Sequence, residues 1–261
     1  MKRSIKRGLF ISGAVLLVLT AIPIGMMASA FIGMRALAPR EFGSDSVLKD
    51  GFVCIGVIDE GDGHLALIDA GNDPAGAQIL AELSRRKLGP EAVRDIFLTH
   101  GHNDHSAAAH LFPAARVHIG AADLLLTQGK EGGHGPITRY VHAHDAGIAA
   151  FVPIAQDGPI EAGQKSVRAF LIPGHTGGSA AFLVDGLLFL GDSAGATSAG
   201  QLIGAPYAFS DNQLQNRQSL KRLASIITGE KLEVKELVPA HSGALDGAAP
   251  LLEFAAHVSE P

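Results

Sequence analysis

The run Thr99-His100-Gly101-His102-Asn103-Asp104-His105 places three histidines and one carboxylate within six residues. Such residues add nothing to a hydrophobic core, so their crowding has a chemical reason. Imidazole nitrogens suit zinc, and a carboxylate takes a further coordination position or holds a water. The apolar residues Ile96-Phe97-Leu98 read as a buried strand running into the cluster, and Ser106 to Leu111 reads as a helix starting just after it. The ligand types therefore fall on a strand-to-helix turn. With Cys54 the only cysteine, neither a disulfide nor a Cys-rich metal site is available, and any metal must be held by His, Asp or Glu.

The 261 residues, 47% of them apolar, suffice for one domain with a substantial core, residues 36–261, preceded by an extension, residues 1–35. In that extension Lys2, Arg3, Lys6 and Arg7 precede an uncharged, mostly apolar run from Gly8 to Met34, longer than the roughly 20 residues that cross a bilayer. The positive-inside rule leaves the N-terminus in the cytoplasm. Ala28-Ser29-Ala30 has the small-residue pattern of a signal-peptide cleavage site, so two readings stand: a membrane-anchored protein with a periplasmic domain, or one secreted to the periplasm after cleavage. The length of the run favours the anchor. Residues 1–30 hold four bases and no acids, which leaves 17 bases against 26 acids, about −9 with neutral histidines. That balance excludes nucleic acid as a partner, because its binding requires phosphates to be neutralised by Lys and Arg.

Ala38 to Lys49 reads as a polar linker. Phe52 to Ile58 and Leu65 to Ile68 read as two strands joined at Glu60-Gly61-Asp62-Gly63, and Asp69 closes the second. Asn72 or Asp73 is expected to cap a helix with Pro74 in its first turn and Gly89 at its end. Ala121 to Gln128 reads as helix, and Gly129 to Ala150, with His134, His142 and His144, as a loop or lid. Val167 to Ile172 is a strand ending at Pro173-Gly174-His175, and a hairpin about Asp185-Gly186 ends at Asp192. Asn212 to Thr228 is helical, Glu236 to Val238 is a strand ending before His241, and a last helix runs from about Ala248 to His257. His175, Asp192 and His241 thus share one placement, each after a short apolar strand where a turn begins. Strand ends converging at one edge of a sheet assemble a site from distant sequence.

With Asp69, the His-X-His-X-Asp-His run at 100–105, and then His175, Asp192 and His241 in this order, the chain resembles the metallo-β-lactamase superfamily over roughly residues 45 to 245. The resemblance implies an α/β fold, a four-layer αββα sandwich with metals at one edge of the two sheets. It implies that His100, His102 and His175 hold one metal, Asp104, His105 and His241 the other, and that Asp192 bridges them. Two zinc ions per chain, with manganese or iron also accepted by such ligands, would make the chain a hydrolase of a small ester, thioester or lactone, Asp104 also orienting the nucleophile. Phosphodiester hydrolysis and a non-catalytic metal-binding module are the alternatives. Asp69 and the Thr176 region are expected to orient imidazoles from behind. The true β-lactamases lack the Asp192 bridge, which points to the glyoxalase II-like and lactonase-like branch. The segment after His241, without Lys or Arg, does not match the basic glutathione-binding domain of glyoxalase II. Tyr140 and Tyr207 are candidates for the tyrosine that lactonases place near the metals.

Overall fold

The computed structural model describes Gly25, residues 31–141 and residues 144–258. The chain divides into Met1–Gly33 and Met34–Pro261, and the second unit carries the fold. The run read above as an anchor or signal peptide lies, apart from Gly25 and residues 31–34, outside the described residues. Among the described residues no helix is long and apolar enough to cross a membrane.

Seven strands follow one another across the first sheet: β1 (Arg40–Phe42), β2 (Asp45–Asp50), β3 (Val53–Gly61), β4 (His64–Ile68), β5 (Val93–Leu98), β6 (Arg116–Gly120) and β7 (Phe151–Ile154). The first four pair antiparallel, and β4 to β7 run parallel. The second sheet comprises β8 (Gly158–Ala162), β9 (Lys165–Leu171), β10 (Ala180–Val184), β11 (Leu187–Gly191), β14 (Glu236–Pro239) and β15 (Leu245–Asp246), with β11 and β14 the parallel pair. A separate hairpin joins β12 (Ala194–Ala196) to β13 (Leu202–Gly204).

Alternate side chains of one strand go to different layers, as a period of two demands. From β3, Cys54 and Ile58 point between the sheets with Phe97, Phe182 and Phe189, while Ile55 and Val57 pack outward with Ile79 and Leu83 of α1 (Ala77–Arg85). On the far side, Phe170, Leu188 and Leu190 pack against Leu220, Leu223 and Ile227 of α4 (Gln213–Gly229) and Leu251 of α5 (Ala249–Ala256). Three apolar interfaces between four layers make the expected αββα sandwich. The strands are apolar on both faces because both faces are covered.

Ala38 to Lys49, expected as a linker, instead forms β1 and β2. Its polar residues misled because they are satisfied by distant groups: Asp45 accepts from Asp59 N at 2.8 Å and Asp50 from Asn72 N and Asp73 N at 2.7 and 2.9 Å. The helix after Asp73 begins only at Ala77, so Pro74 precedes it, although the Asp73 carboxylate still accepts from Ala75 N and Ala77 N. The helix expected from Ser106 starts earlier, as α2 (Asn103–Ser106), and continues after Ala107 and Ala108 as a 3-10 turn at Ala109–Leu111. Helix α3 (Leu124–Thr127) follows a 3-10 turn at Ala121–Asp123, matching the expected helical stretch.

Candidate metal centre

Five chain segments bring the candidate ligands to one edge of the sandwich. Strand β4 leads to Asp69, β5 to Thr99 and His100, β9 to His175, β11 to Asp192, and β14 to His241. Backbone bonds knit the two sheets at this edge: Ala180 N donates to Thr99 O at 2.8 Å and Cys54 N to Ala240 O at 2.9 Å. Gly191, at φ +53°, makes the turn from β11 into Asp192, and a side chain there would meet that of Thr99. Asn216 of α4 donates to Ser193 O at 2.9 Å and holds that turn from behind. Because α2 begins at Asn103, with His102 as the residue before it, Asp104 and His105 project from a helical turn while His102 leaves from extended backbone and His100 from the bend after β5.

Three imidazole nitrogens meet on one side. His100 Nε2 lies 3.0 Å from His102 Nδ1, and His175 Nε2 lies 3.2 Å and 3.1 Å from these two atoms. Tetrahedral nitrogens about 2.05 Å from a zinc ion stand roughly 3.3 Å apart, so the triangle has the size of such a site. Beside it, Asp192 Oδ1 lies 3.2 Å from His105 Nε2 and 3.0 Å from His241 Nε2, while Oδ2 faces His175 Nε2 at 3.6 Å. Asp104 Oδ2 is 3.5 Å from His241 Nε2 and 3.8 Å from His105 Nε2. The groups that can hold a metal are His100 with His102 and His175, Asp104 with His105 and His241, and His100 with His105 and Asp192.

The proton positions follow from the partners behind the rings. His105 Nδ1 donates to Asp69 Oδ2 at 2.8 Å, and His241 Nδ1 to Phe52 O at 2.9 Å, both acceptors only. The Thr99 hydroxyl donates to Asp69 Oδ2 at 2.9 Å, so it accepts from His100 Nδ1 at 3.1 Å. Ser210 Oγ donates to Pro206 O at 2.7 Å, so it accepts from His175 Nδ1 at 3.0 Å. In each neutral ring the inward Nε2 therefore carries a lone pair. Lone pairs facing one another and a carboxylate cannot hydrogen-bond, and His105 Nε2 and Asp192 Oδ1 are buried without such a partner. A cation at their focus satisfies all of them, so the residues present fit a metal.

The electrostatics divide the five rings into two groups. Burial holds His100 well below its ordinary pKa, takes His175 down to about 3, and lowers His102. Burial is the largest influence on His105 and His241 too and opposes their charge, but the carboxylates together overcome it and raise both: Asp192, Asp69 and Asp104 at His105, Asp192 and Asp104 at His241. Burial favours a neutral Asp192, yet His241 and His105 keep its carboxyl well below the usual range. The carboxylate thus draws positive charge toward the point where the ring nitrogens converge. Burial pushes the neighbouring Cys54 thiol up, with Asp69 and Asp192 adding to the shift, so Cys54 packs as a neutral side chain.

Asp69 acts as expected, behind His105. Thr176 does not: its hydroxyl donates to Asp123 Oδ2 at 2.6 Å and touches no imidazole, and the hydroxyl behind His175 belongs to Ser210. The sequence reading missed both Ser210 and Asp123. Buried Asp123 also accepts from Gly101 N at 2.8 Å and Gly178 N at 2.6 Å, joining the turn that carries His100 and His102 to the turn that follows His175. Glycine is required at 120, where a Cβ would strike the carbonyl of Gly178. His134 lies at the surface with Glu131 and Asp211, outside the metal groups, and His144 is exposed; His142 lies outside the described residues. Tyr140 and Tyr207 are 83% and 65% exposed, each on a 3-10 turn, and Ile137 N donates to Ala208 O at 2.9 Å, so these two turns share one rim.

An αββα sandwich with this His/Asp set at its edge defines a class, the metal-dependent hydrolases of that fold. The model of the metallo-beta-lactamase superfamily matches residues 48–241, and the chain belongs to that superfamily. Among solved structures it is similar to the Rm3 metallo-beta-lactamase, at 21% identity over 82% of this chain and 81% of that one, TM-score 0.61. It is also similar to a B3 metallo-beta-lactamase described as the first with an active site glutamic acid, at 19% identity over 88% and 90%, TM-score 0.64. The metallo-beta-lactamase MIM-1 from Novosphingobium pentaromativorans is 20% identical over 87% of this chain and 88% of its own, TM-score 0.62. At these identities the likeness is one of fold. No curated protein matches the chain.

Proposed function

We propose that the chain is a dinuclear zinc hydrolase of a small ester, thioester or lactone, with its catalytic unit on the periplasmic side of a membrane. The observation that carries this reading is Asp192, whose Oδ1 faces His105 and His241 while Oδ2 faces His175, so that one carboxylate serves both ligand groups. His100, His102 and His175 would hold one cation, Asp104, His105 and His241 the other, and Asp192 both. When bound, such cations supply a water of lowered pKa as nucleophile and a Lewis acid for the carbonyl oxygen.

The remaining work falls to the chain. His100, His105 and His175 are fully buried, whereas His102, Asp104 and His241 are partly open, so substrate enters on their side. Asp104 stands at that opening, where its free oxygen can accept a hydrogen bond from the attacking water and aim it. Phe52 stacks on His241, with centroids 5.5 Å apart and planes at 14°, and forms an apolar wall for the acyl part of the substrate. The Asp192 position also argues against antibiotic hydrolysis as the native reaction.

The test is metal content per full-length chain together with turnover of chromogenic esters, lactones, thioesters, a cephalosporin and a bis-phosphodiester. Two zinc ions with carbonyl-ester or lactone turnover are expected. Turnover of only the phosphodiester or only the cephalosporin overturns the substrate class, and full metal loading without any turnover overturns the enzyme reading.

A further inference from the structure

Buried Asp123 ties the turns of His100, His102 and His175, and a second buried carboxylate stands in the same relation to the other ligand group. Asp50 ends β2 and pairs with Val53 of β3, so Gly51 and Phe52 make the turn between these strands. Its side chain reaches a different loop, the one that leaves β4: Oδ2 accepts from Asn72 N at 2.7 Å and from Asp73 N at 2.9 Å. Gly71 makes room for it. At φ +71° a Cβ there would stand 2.5 Å from Asp50 Oδ2, so glycine lets the carboxylate close on the two N–H groups.

Each side of this bridge leads to ligands of one group. On the first side, Phe52 O accepts from His241 Nδ1 at 2.9 Å, and the Phe52 ring stacks on that of His241. On the other, the loop runs back from Asn72 to Asp69, whose Oδ2 accepts from His105 Nδ1 at 2.8 Å. The same loop is bonded to the segment that carries Asp104 and His105: Ala70 N donates to His105 O at 2.7 Å and Ala107 N to Gly71 O at 3.1 Å. Thr99, behind His100, also bonds to Asp69, but Ala180 N holds its carbonyl from the second sheet. Ser210 stands behind His175, and Asp123 holds the turns on either side.

From this geometry we infer that Asp50 is a positioning residue for the cation held by Asp104, His105 and His241. The inference rests on the two ligand groups of the reading above and adds a residue that acts through others rather than on the cation. His241 is supplied by the second sheet, Asp104 and His105 by the turn after β5, and the Asp50 carboxylate fixes the separation of the backbones that orient them. Metal–ligand distances hold to about 0.2 Å, so a turn free to drift further loses affinity.

The experiment measures zinc affinity, by competition with a chromogenic chelator, in two full-length chains that each keep one group intact. His102→Ala keeps Asp104, His105 and His241; His241→Ala keeps His100, His102 and His175. Asp50→Ala is expected to weaken zinc binding about tenfold or more in the first chain and at most about threefold in the second. A merely structural loss would move both alike. Asp50→Asn, whose amide oxygen accepts from the same two N–H groups, is expected to restore most of the affinity. Asp50→Ser, with an oxygen too short to reach both, reads the same preference should Asp50→Ala not fold.

Equal weakening of both chains, or of neither, overturns the inference while the ligand groups stand. An Asp50→Asn chain as weak as Asp50→Ala overturns it as well. Zinc binding by neither starting chain overturns the ligand groups themselves, and the role of Asp50 with them.

Discussion

His175 donates a hydrogen bond from Nδ1 to Ser210 Oγ, 3.0 Å away, because the Ser210 hydroxyl proton is already committed to Pro206 O at 2.7 Å. That chain of two hydrogen bonds decides which nitrogen of His175 can face a metal. Replacing Ser210 with Ala removes the acceptor and frees the ring to change tautomer. Zinc affinity, measured by competition with a chromogenic chelator, is expected to fall about 10- to 100-fold with the fold intact. An unchanged affinity would refute the tautomer assignment.

Asp123 is the tie between the two turns of the histidine triad. In Asp123→Ala, Gly101 N, Gly178 N and the Thr176 hydroxyl lose a buried acceptor, at about 1–3 kcal/mol for each unsatisfied group. The midpoint of thermal unfolding is expected to drop by on the order of 10 °C. Zinc added to the variant should recover part of the loss, since binding to the native state stabilises it. Thr176→Val, which removes only one donor, should unfold close to the parent.

Asp192→Ala is expected to lose at least one metal and all hydrolysis, because its two oxygens face both ligand groups. His142→Ala should leave the metal content near that of the parent. Metal analysis of the purified variants checks both, and a metal lost with His142 would show that the ligand set is drawn wrongly.

A separate pH effect belongs to the far end of α1. Hydrogen bonds from Arg85, aided by Arg86 and opposed by burial, take the Glu82 carboxyl down to about 2. A depressed folded-state pKa stabilises above the unfolded value of about 4.5, and that stability is lost as pH falls from there toward 2. It amounts to at most about 3 kcal/mol. Urea unfolding should therefore separate the parent from Glu82→Gln at pH 7, and the gap should narrow steadily between pH 5 and pH 3.

Legibility from sequence differed from residue to residue. The strands β3, β4, β5, β10 and β11 could be read directly because their apolar runs are covered on both faces, and the hairpin at Asp185-Gly186 carries its own turn signal. Strands β1 and β2 were hidden by polar residues whose partners, Asp59, Asn72 and Asp73, are supplied by other segments. Strands β12, β13 and β15 are two or three residues long, too short for any period to show.

For the candidate metal centre, the sequence by itself supplied the donor types: His100, His102, Asp104 and His105 on one turn, and His175, Asp192 and His241 each after a strand end. These could be read because metal chemistry restricts residue type and strand ends restrict position. Only the tertiary structure decided which nitrogen of His100, His105, His175 and His241 faces inward, since that depends on Thr99, Asp69, Ser210 and the carbonyl of Phe52. It also showed that Asp123, 53 residues from Thr176 in the chain, bonds to its hydroxyl and holds the two histidine turns together. A single buried carboxylate leaves no periodic mark in a sequence, and its role exists only once the folded chain brings its donors to it.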